Sequence, residues 1–299
     1  MEHKLTCARF RNNPLIISSN KGLEGENING SSIIRIPEWV KNPLGRYYMY
    51  FAHHKGEFIR LAYSDNIEGP WKVYKEGTLS IDETPGSDHI ASPDVHVHKM
   101  EKKILMYYHT KYKSTGPFGN HLQVTFLAKS DDGINFTSEK EVLGPFYMRV
   151  FEYKGKYYAI AKHNDSGVLL SSTHYNKEFC IMQEIIPRMR HCAVQMKGNK
   201  LYVFFTRIED APESIFYCSF NIDQHPNDWQ PEEPELLIKP EHDYEGAYAN
   251  IFPSETGPIY ELANQIRDPA VLEENNETFL FYTVSGEKGI AASRLILKD

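Results

Sequence analysis

Long amphipathic helices are missing from this chain. No stretch of a dozen residues keeps apolar side chains at i, i+3 and i+4, which leaves strands to build the core. No apolar run approaches the roughly 20 residues that a membrane-spanning helix needs. The N-terminal stretch MEHKLTCARFRNN has no apolar leader core. The four cysteines (Cys7, Cys180, Cys192, Cys218) are scattered and form no C-x-x-C pair, so they read as reduced core thiols rather than a disulfide framework. Together these features point to a cytoplasmic protein with no membrane partner. Positive charge is also in short supply. The formal net charge is −7, whereas a nucleic-acid partner needs a basic surface. Despite 13 histidines there is no H-E-x-x-H motif, and the His-x-His of His96 and His98 is a common strand pattern.

What is present in quantity is aromatic. Aromatic residues make up 13% of the chain, with 19 Tyr and 16 Phe, which suits strands and sugar stacking equally. One pattern recurs five times: a tight turn, an aromatic-rich run, then a polar or charged ending. The copies are GRYYMYFAHH (from Gly45), KKILMYYHT (from Lys102), GKYYAIAKH (from Gly155), GNKLYVFFTR (from Gly198) and NNETFLFYTVSGE (from Asn275). Each follows a second short apolar run: SSIIRI, SPDVHVH, MRVFEY, HCAVQM or DPAVLEE.

Five such pairs predict an all-β, five-bladed β-propeller occupying residues 1–299 as one domain. The blades are expected over Ser31–Tyr74, Ser92–Val142, Phe146–Gln183, His191–Ile238 and Asp268–Leu297. The fifth is one strand short, and HKLTCARF (His3–Phe10) is expected to supply the outer strand that closes the ring. The turns SDNIEGPW and SDDGINF share an Asp that accepts turn N–H groups, a Gly, and an aromatic that plugs the blade.

In a propeller, the first-strand starts and the second-to-third-strand turns meet on one face. The first-strand group is Asn27, Asn29, Asp94, His96, Arg149, Arg190, His191, Arg267 and Asp268. The turn group is His53, His54, His109, His163, Arg207, Glu213 and Glu287, joined by Tyr244 and Glu245 from the loop entering the last blade. Burying so many unlike charges is costly unless they pair or bind something. Convergence on one concavity marks a candidate site. Asp94, Asp268, Glu245, Glu287 and Glu213 are the candidate catalytic carboxylates. Asp94 and Asp268 are expected to face each other across part of the channel. Asn29, His53, His54, Arg60, His96, His109, Gln123, Arg149, His191, Arg207, Arg267 and Tyr244 are the candidate sugar contacts. Paired carboxylates suit glycoside hydrolysis, one protonating the leaving oxygen while the other activates water or attacks the anomeric carbon.

SPDVH (Ser92–His96), the Arg-Asp-Pro of Arg267–Pro269 and the Ser-Asp-Gly-aromatic turns give the chain a resemblance to the five-bladed propeller glycosidases, the group holding glycoside hydrolase families 43, 32 and 117. The resemblance spans the whole blade pattern. It implies a carbohydrate substrate and no required cofactor. It also implies a structural calcium ion in the central channel, with His96 or His191 beside it. One departure stands out: families 43 and 32 place an essential Asp at the start of blade one, where this chain has Asn27 and Asn29.

The leading reading is an exo-acting glycosidase for a small or anionic oligosaccharide. Asp94 and Asp268 would act as base and stabiliser, and Glu245 or Glu287 as acid. Arginine pairs bidentately with anionic groups, so Arg60, Arg149, Arg190, Arg207 and Arg267 favour an acidic glycan. The alternatives are a phosphorylase using inorganic phosphate and a sugar-binding propeller without catalysis.

Overall fold

The structure is a computed structural model that describes residues 4–19, 25–112 and 123–298. Five antiparallel sheets form a five-bladed propeller. From the axis outward, blade one is Asn29–Arg35, Tyr47–Ala52, Phe58–Ser64 and Lys72–Ser80. Blade two is Ser87–His98, Lys103–Lys111 and Gln123–Ser130, with the short pieces Thr137–Ser138 and Gly144–Pro145 on its outer edge. Blade three is Arg149–Tyr153, Lys156–His163, Ser166–Ser172 and Cys180–Pro187, and blade four is Met189–Lys197, Lys200–Arg207, Ile215–Asn221 and Glu235–Ile238. Blade five is Arg267–Glu274, Glu277–Val284 and Gly289–Lys298.

The outer strand of blade five comes from the other end of the chain. Lys4–Arg9 pairs antiparallel with Gly289–Lys298, from Lys4 opposite Lys298 to Arg9 opposite Ser293. The ring therefore closes as the sequence indicates, with no open edge on that blade. His3, the expected first residue of this strand, lies outside the described residues.

The aromatic runs are buried on both sides because each blade is packed between two others. Alternation along a strand sends successive residues to opposite neighbours. In YYMYFA, Tyr48 and Tyr50 enter the cluster shared with blade two, while Tyr47, Met49 and Phe51 enter the one shared with blade five. Five such clusters fill the five blade junctions. The repeated turns serve these junctions. Asp132 Oδ1 accepts the N–H groups of Ile134 and Asn135 at 2.8 Å each, and Phe136 then packs edge-on against Tyr50.

The inner strands are also stitched across every junction. Gly30 N–H donates to Asp268 Oδ2 (3.3 Å), Val95 N–H to Ser32 Oγ (2.9 Å) and Val150 N–H to Asp94 Oδ2 (2.8 Å). Arg149 Nε donates to the Cys192 carbonyl (3.1 Å), and Gln195 to Glu273. All four cysteines are free thiols. Among the described residues, no helix is long and apolar enough to cross a membrane.

Candidate active site

The apolar face of each inner strand fixes a common register. Ile33, Val95, Val150, Val194 and Val271 all pack toward the preceding blade. The residues just before them, Ser32, Asp94, Arg149, Ala193 and Ala270, form one ring around the channel. All five line a cavity of about 420 Å³, together with His96, Gln195 and Glu273. Two residues earlier stand Gly30, Ser92, Tyr147, His191 and Asp268, which form a second ring about 7 Å away along the strands. In blades one, two and five a β-bulge falls between the two rings. Gly30, Ser92, Tyr147 and Asp268 take φ of 57°, 49°, 59° and 49°. Such bulges re-aim side chains at the rims of barrels and beside active sites.

This register corrects one expectation. Asp94 and Asp268 do not oppose each other; they belong to different rings. Asp94 lies with His96 (2.8 Å from its Nε2) and Arg149 in the lower cavity. Burial acts to raise the Asp94 carboxyl, but His96 and Arg149 outweigh it and hold it below the usual range.

At the upper ring a pocket of about 400 Å³ opens, lined by His54, His89, Tyr147, Lys162 and Arg190, with Gln123 at its wall. The loop between blades four and five adds Thr256, Gly257 and Pro258. Tyr147 forms a lid over two histidines: its ring centroid lies 3.8 Å from His191 and 4.6 Å from His109. Beneath them, His191 Nδ1 lies 2.6 Å from Asp268 Oδ1, and both side chains are about 5% exposed or less. Burial acts to raise the Asp268 carboxyl. The His191 imidazole, Arg267 and Arg190 outweigh it and hold the group well below the usual carboxylate range. His109 is fully buried among His89, His191 and His54; burial first, then those neighbours, push its imidazole well below its ordinary value, so it stays neutral. Burial likewise raises the Tyr147 phenol, with help from Asp268.

The pocket wall is tied to a buried ionic chain. Glu213 accepts a hydrogen bond from Arg190 Nε at 2.8 Å and forms an ion pair with Arg267, whose Nε lies 2.9 Å away. Arg267 continues to Glu287 at 3.3 Å, and Glu287 Oε1 lies 3.5 Å from His54 Nδ1. Asn27 also donates to Glu287, and Asn29 Nδ2 lies 3.0 Å from His54 Nδ1. Glu213 is wholly buried and holds one arginine on each oxygen, so it sets the position of the arginines. Glu213→Gln leaves both cations short of their counter-charge. It is expected to cost about 3–5 kcal/mol of stability, read as a lower midpoint in urea unfolding.

Three further candidates lie elsewhere. Glu245 does not face the pocket: it receives Arg9 Nε at 2.7 Å and the Tyr282 hydroxyl at 3.1 Å, and so fastens the N-terminal strand. Tyr244 beside it accepts from Asn13 Nδ2 at 3.3 Å. Arg207 turns back to Asp210 (3.0 Å) and over the Phe216 ring. His53 and Arg60 sit together beside the pocket residue His54. Burial and the Arg60 charge lower the His53 imidazole, and Arg60 packs over Phe58.

The sequence reading did not single out His89, Tyr147 and Lys162. Lys162 had a visible signal. Aligned at their ends, the five runs read FA, YYH, IAK, FFT and FYT, so Lys162 occupies the place of Ala52, His109, Thr206 and Thr283. Among the described residues, no group of three or more His, Cys, Asp and Glu side chains is placed to hold a metal ion. His96 and His191 are each engaged with a single aspartate, whereas calcium takes six to eight oxygen ligands.

The fold defines a class: a five-bladed propeller built as in the solved structures of glycoside hydrolase family 43. The chain covers 98% of itself and 95% of CoXyl43, a family 43 β-xylosidase/α-arabinofuranosidase from a compost microbial metagenome solved with xylotriose in a calcium-free form (13% identity, TM-score 0.64). A glycosyl hydrolase from Bacteroides ovatus matches over 96% of this chain and 92% of its own (11% identity, TM-score 0.67). A Xanthomonas citri family 43 enzyme complexed with xylotriose matches over 91% and 87% (10% identity, TM-score 0.63). No family model matches the sequence. The chain belongs to the same family as "Uncharacterized protein R118" of Acanthamoeba polyphaga mimivirus, with 30% identity over 327 aligned positions covering 98% of this chain and 91% of that one.

Proposed function

We propose that this protein is a glycoside hydrolase acting on the terminal sugar of a small or anionic oligosaccharide, bound in the upper-ring pocket. One observation carries the reading: in a propeller built as in family 43, two carboxylate-backed histidines, His54 and His89, line one pocket of sugar size, and a third such pair lies directly under its Tyr147 wall. His54 is backed by Glu287, His89 by Asp88 at 2.9 Å, and His191 by Asp268. Glycoside hydrolysis passes through an oxocarbenium-like transition state. Asp268, kept anionic beneath the pocket floor, supplies negative potential where that positive charge develops. Glu287 and His54 are the pair assigned to proton transfer, because their side chains lie 3.5 Å apart at the pocket and both residue types serve as general acids and bases. Lys162 and Arg190 add positive charge to the wall, which favours a substrate with an acidic group. The same cations suit inorganic phosphate, so phosphorolysis is the second reading. The free thiols fit a reducing, cytoplasmic setting.

A release assay over neutral and acidic aryl glycosides, with and without phosphate, tests this. The expected result is phosphate-independent release of a terminal sugar. Release only with phosphate moves the protein to phosphorolysis, and binding without release on every glycoside removes the enzyme reading.

A further inference from the structure

The five blades provide an internal comparison that isolates one residue. At the last inward position of the second strand, four blades carry Ala52, His109, Thr206 and Thr283, each about 1% exposed or less. None brings a fixed charge, since His109 is held neutral. Blade three alone carries a lysine there. Lys162 is 6% exposed, and its backbone N–H is committed to the Phe146 carbonyl at 3.1 Å. No ion pair or side-chain hydrogen bond joins its ammonium to another described residue. Its neighbour Arg190 is already engaged with Glu213 and the Glu255 carbonyl. The carboxylates of Asp165 and Glu213 act on this ammonium only at a distance, a buried ammonium without a direct partner is costly, and the sibling blades show that neutral residues satisfy the same position. Burial and the Arg190 charge lower the Lys162 ammonium to about 8, outweighing the opposing pull of Asp165 and Glu213.

We propose that Lys162 is the oxyanion-holding residue of this pocket, taking the carboxylate, sulfate or phosphate of the molecule that binds there. The proposal deepens the glycosidase reading and rests on it for the sugar half of the ligand.

Calorimetric titration of the full chain with glucuronate, a sulfated monosaccharide, inorganic phosphate and neutral glucose provides the test, run on wild type, Lys162→Met and Lys162→Arg. Wild type is expected to bind at least one anion about tenfold or more tightly than neutral glucose. Lys162→Met should erase that preference and Lys162→Arg should keep it. Which anion binds identifies the source: an acidic sugar or free phosphate. An absent preference in wild type, or a preference that survives in Lys162→Met, overturns the proposal. Should Lys162→Met fail to fold, reductive methylation of wild type decides. Adding the preferred anion should slow labelling of Lys162 relative to the anion-free protein while leaving the exposed Lys41 and Lys99 unchanged, and a Lys162 labelling rate that the anion does not alter overturns the assignment. Hydrolysis of neutral glycosides without any anion preference ends this proposal and leaves the glycosidase reading intact. Lys162-dependent anion binding with no glycoside turnover does the reverse.

Discussion

Deleting residues 1–11 is expected to abolish the cooperative unfolding transition of the whole propeller. The strand Lys4–Arg9 is the outer strand of blade five, and its six residues pair in register with Gly289–Lys298. Without it, a long strand edge is left open, which invites aggregation. The junction between blades four and five also loses Leu5 from its core. A buried charge is stranded as well. Glu245 is 0% exposed and receives Arg9 at 2.7 and 3.1 Å, the backbone N–H groups of Glu241 and His242, and the Tyr282 hydroxyl. Arg9→Ala isolates that last contribution and is expected to cost about 3–5 kcal/mol. Thermal unfolding followed by circular dichroism checks both. A truncated chain that melts as sharply and as high as the full one would show that the ring does not depend on this strand.

The second large effect concerns the two aspartates. Asp268→Asn is expected to reduce kcat/KM by about 10²–10³-fold, the scale seen when one preorganised electrostatic group is lost. Asp94→Asn is expected to change it by less than about tenfold, because the amide still accepts the Val150 N–H and Asp94 lies in the lower ring. The sign of the pH dependence follows from the depressed Asp268 carboxyl. A carboxylate whose folded-state pKa lies below its unfolded value contributes stability above the unfolded value and loses it as pH falls through the folded value. Wild type should therefore lose stability on acidification below about pH 4, the ordinary Asp value, and Asp268→Asn should lose less over the same range.

Much of this was legible in the residues. The aromatic runs announced five blades because each run is buried on both faces, and both faces must then be apolar. The missing outer strand of blade five announced the role of Lys4–Arg9. The strand edges were less visible: blade one extends to Ser80 and blade three to Pro187, past the expected Tyr74 and Gln183, because outer strands are polar and half-exposed. His54, His109, His191, Asp268 and Glu287, all candidates from the strand starts and turns, lie close together. Asp94 and Asp268 were misplaced relative to each other because the motifs SPDV and RDPAV look alike around Pro93 and Pro269. Aligning Val95 with Val271 instead shows the offset of two residues. Glu245 gave no sign of its distance from the pocket, since its partner Arg9 lies 236 positions away in sequence. Lys162 was readable from the repeat alignment alone, as the one fixed charge in a position that is otherwise small or neutral.

The measurement that tests the central claim most directly is sugar release by wild type, Asp268→Asn and Asp94→Asn on the best aryl glycoside substrate, with folding of each checked by circular dichroism. Placing chemistry at the upper ring predicts turnover that collapses in Asp268→Asn and persists in Asp94→Asn. Turnover that persists in Asp268→Asn and collapses in Asp94→Asn would put the reaction in the lower cavity and contradict the account.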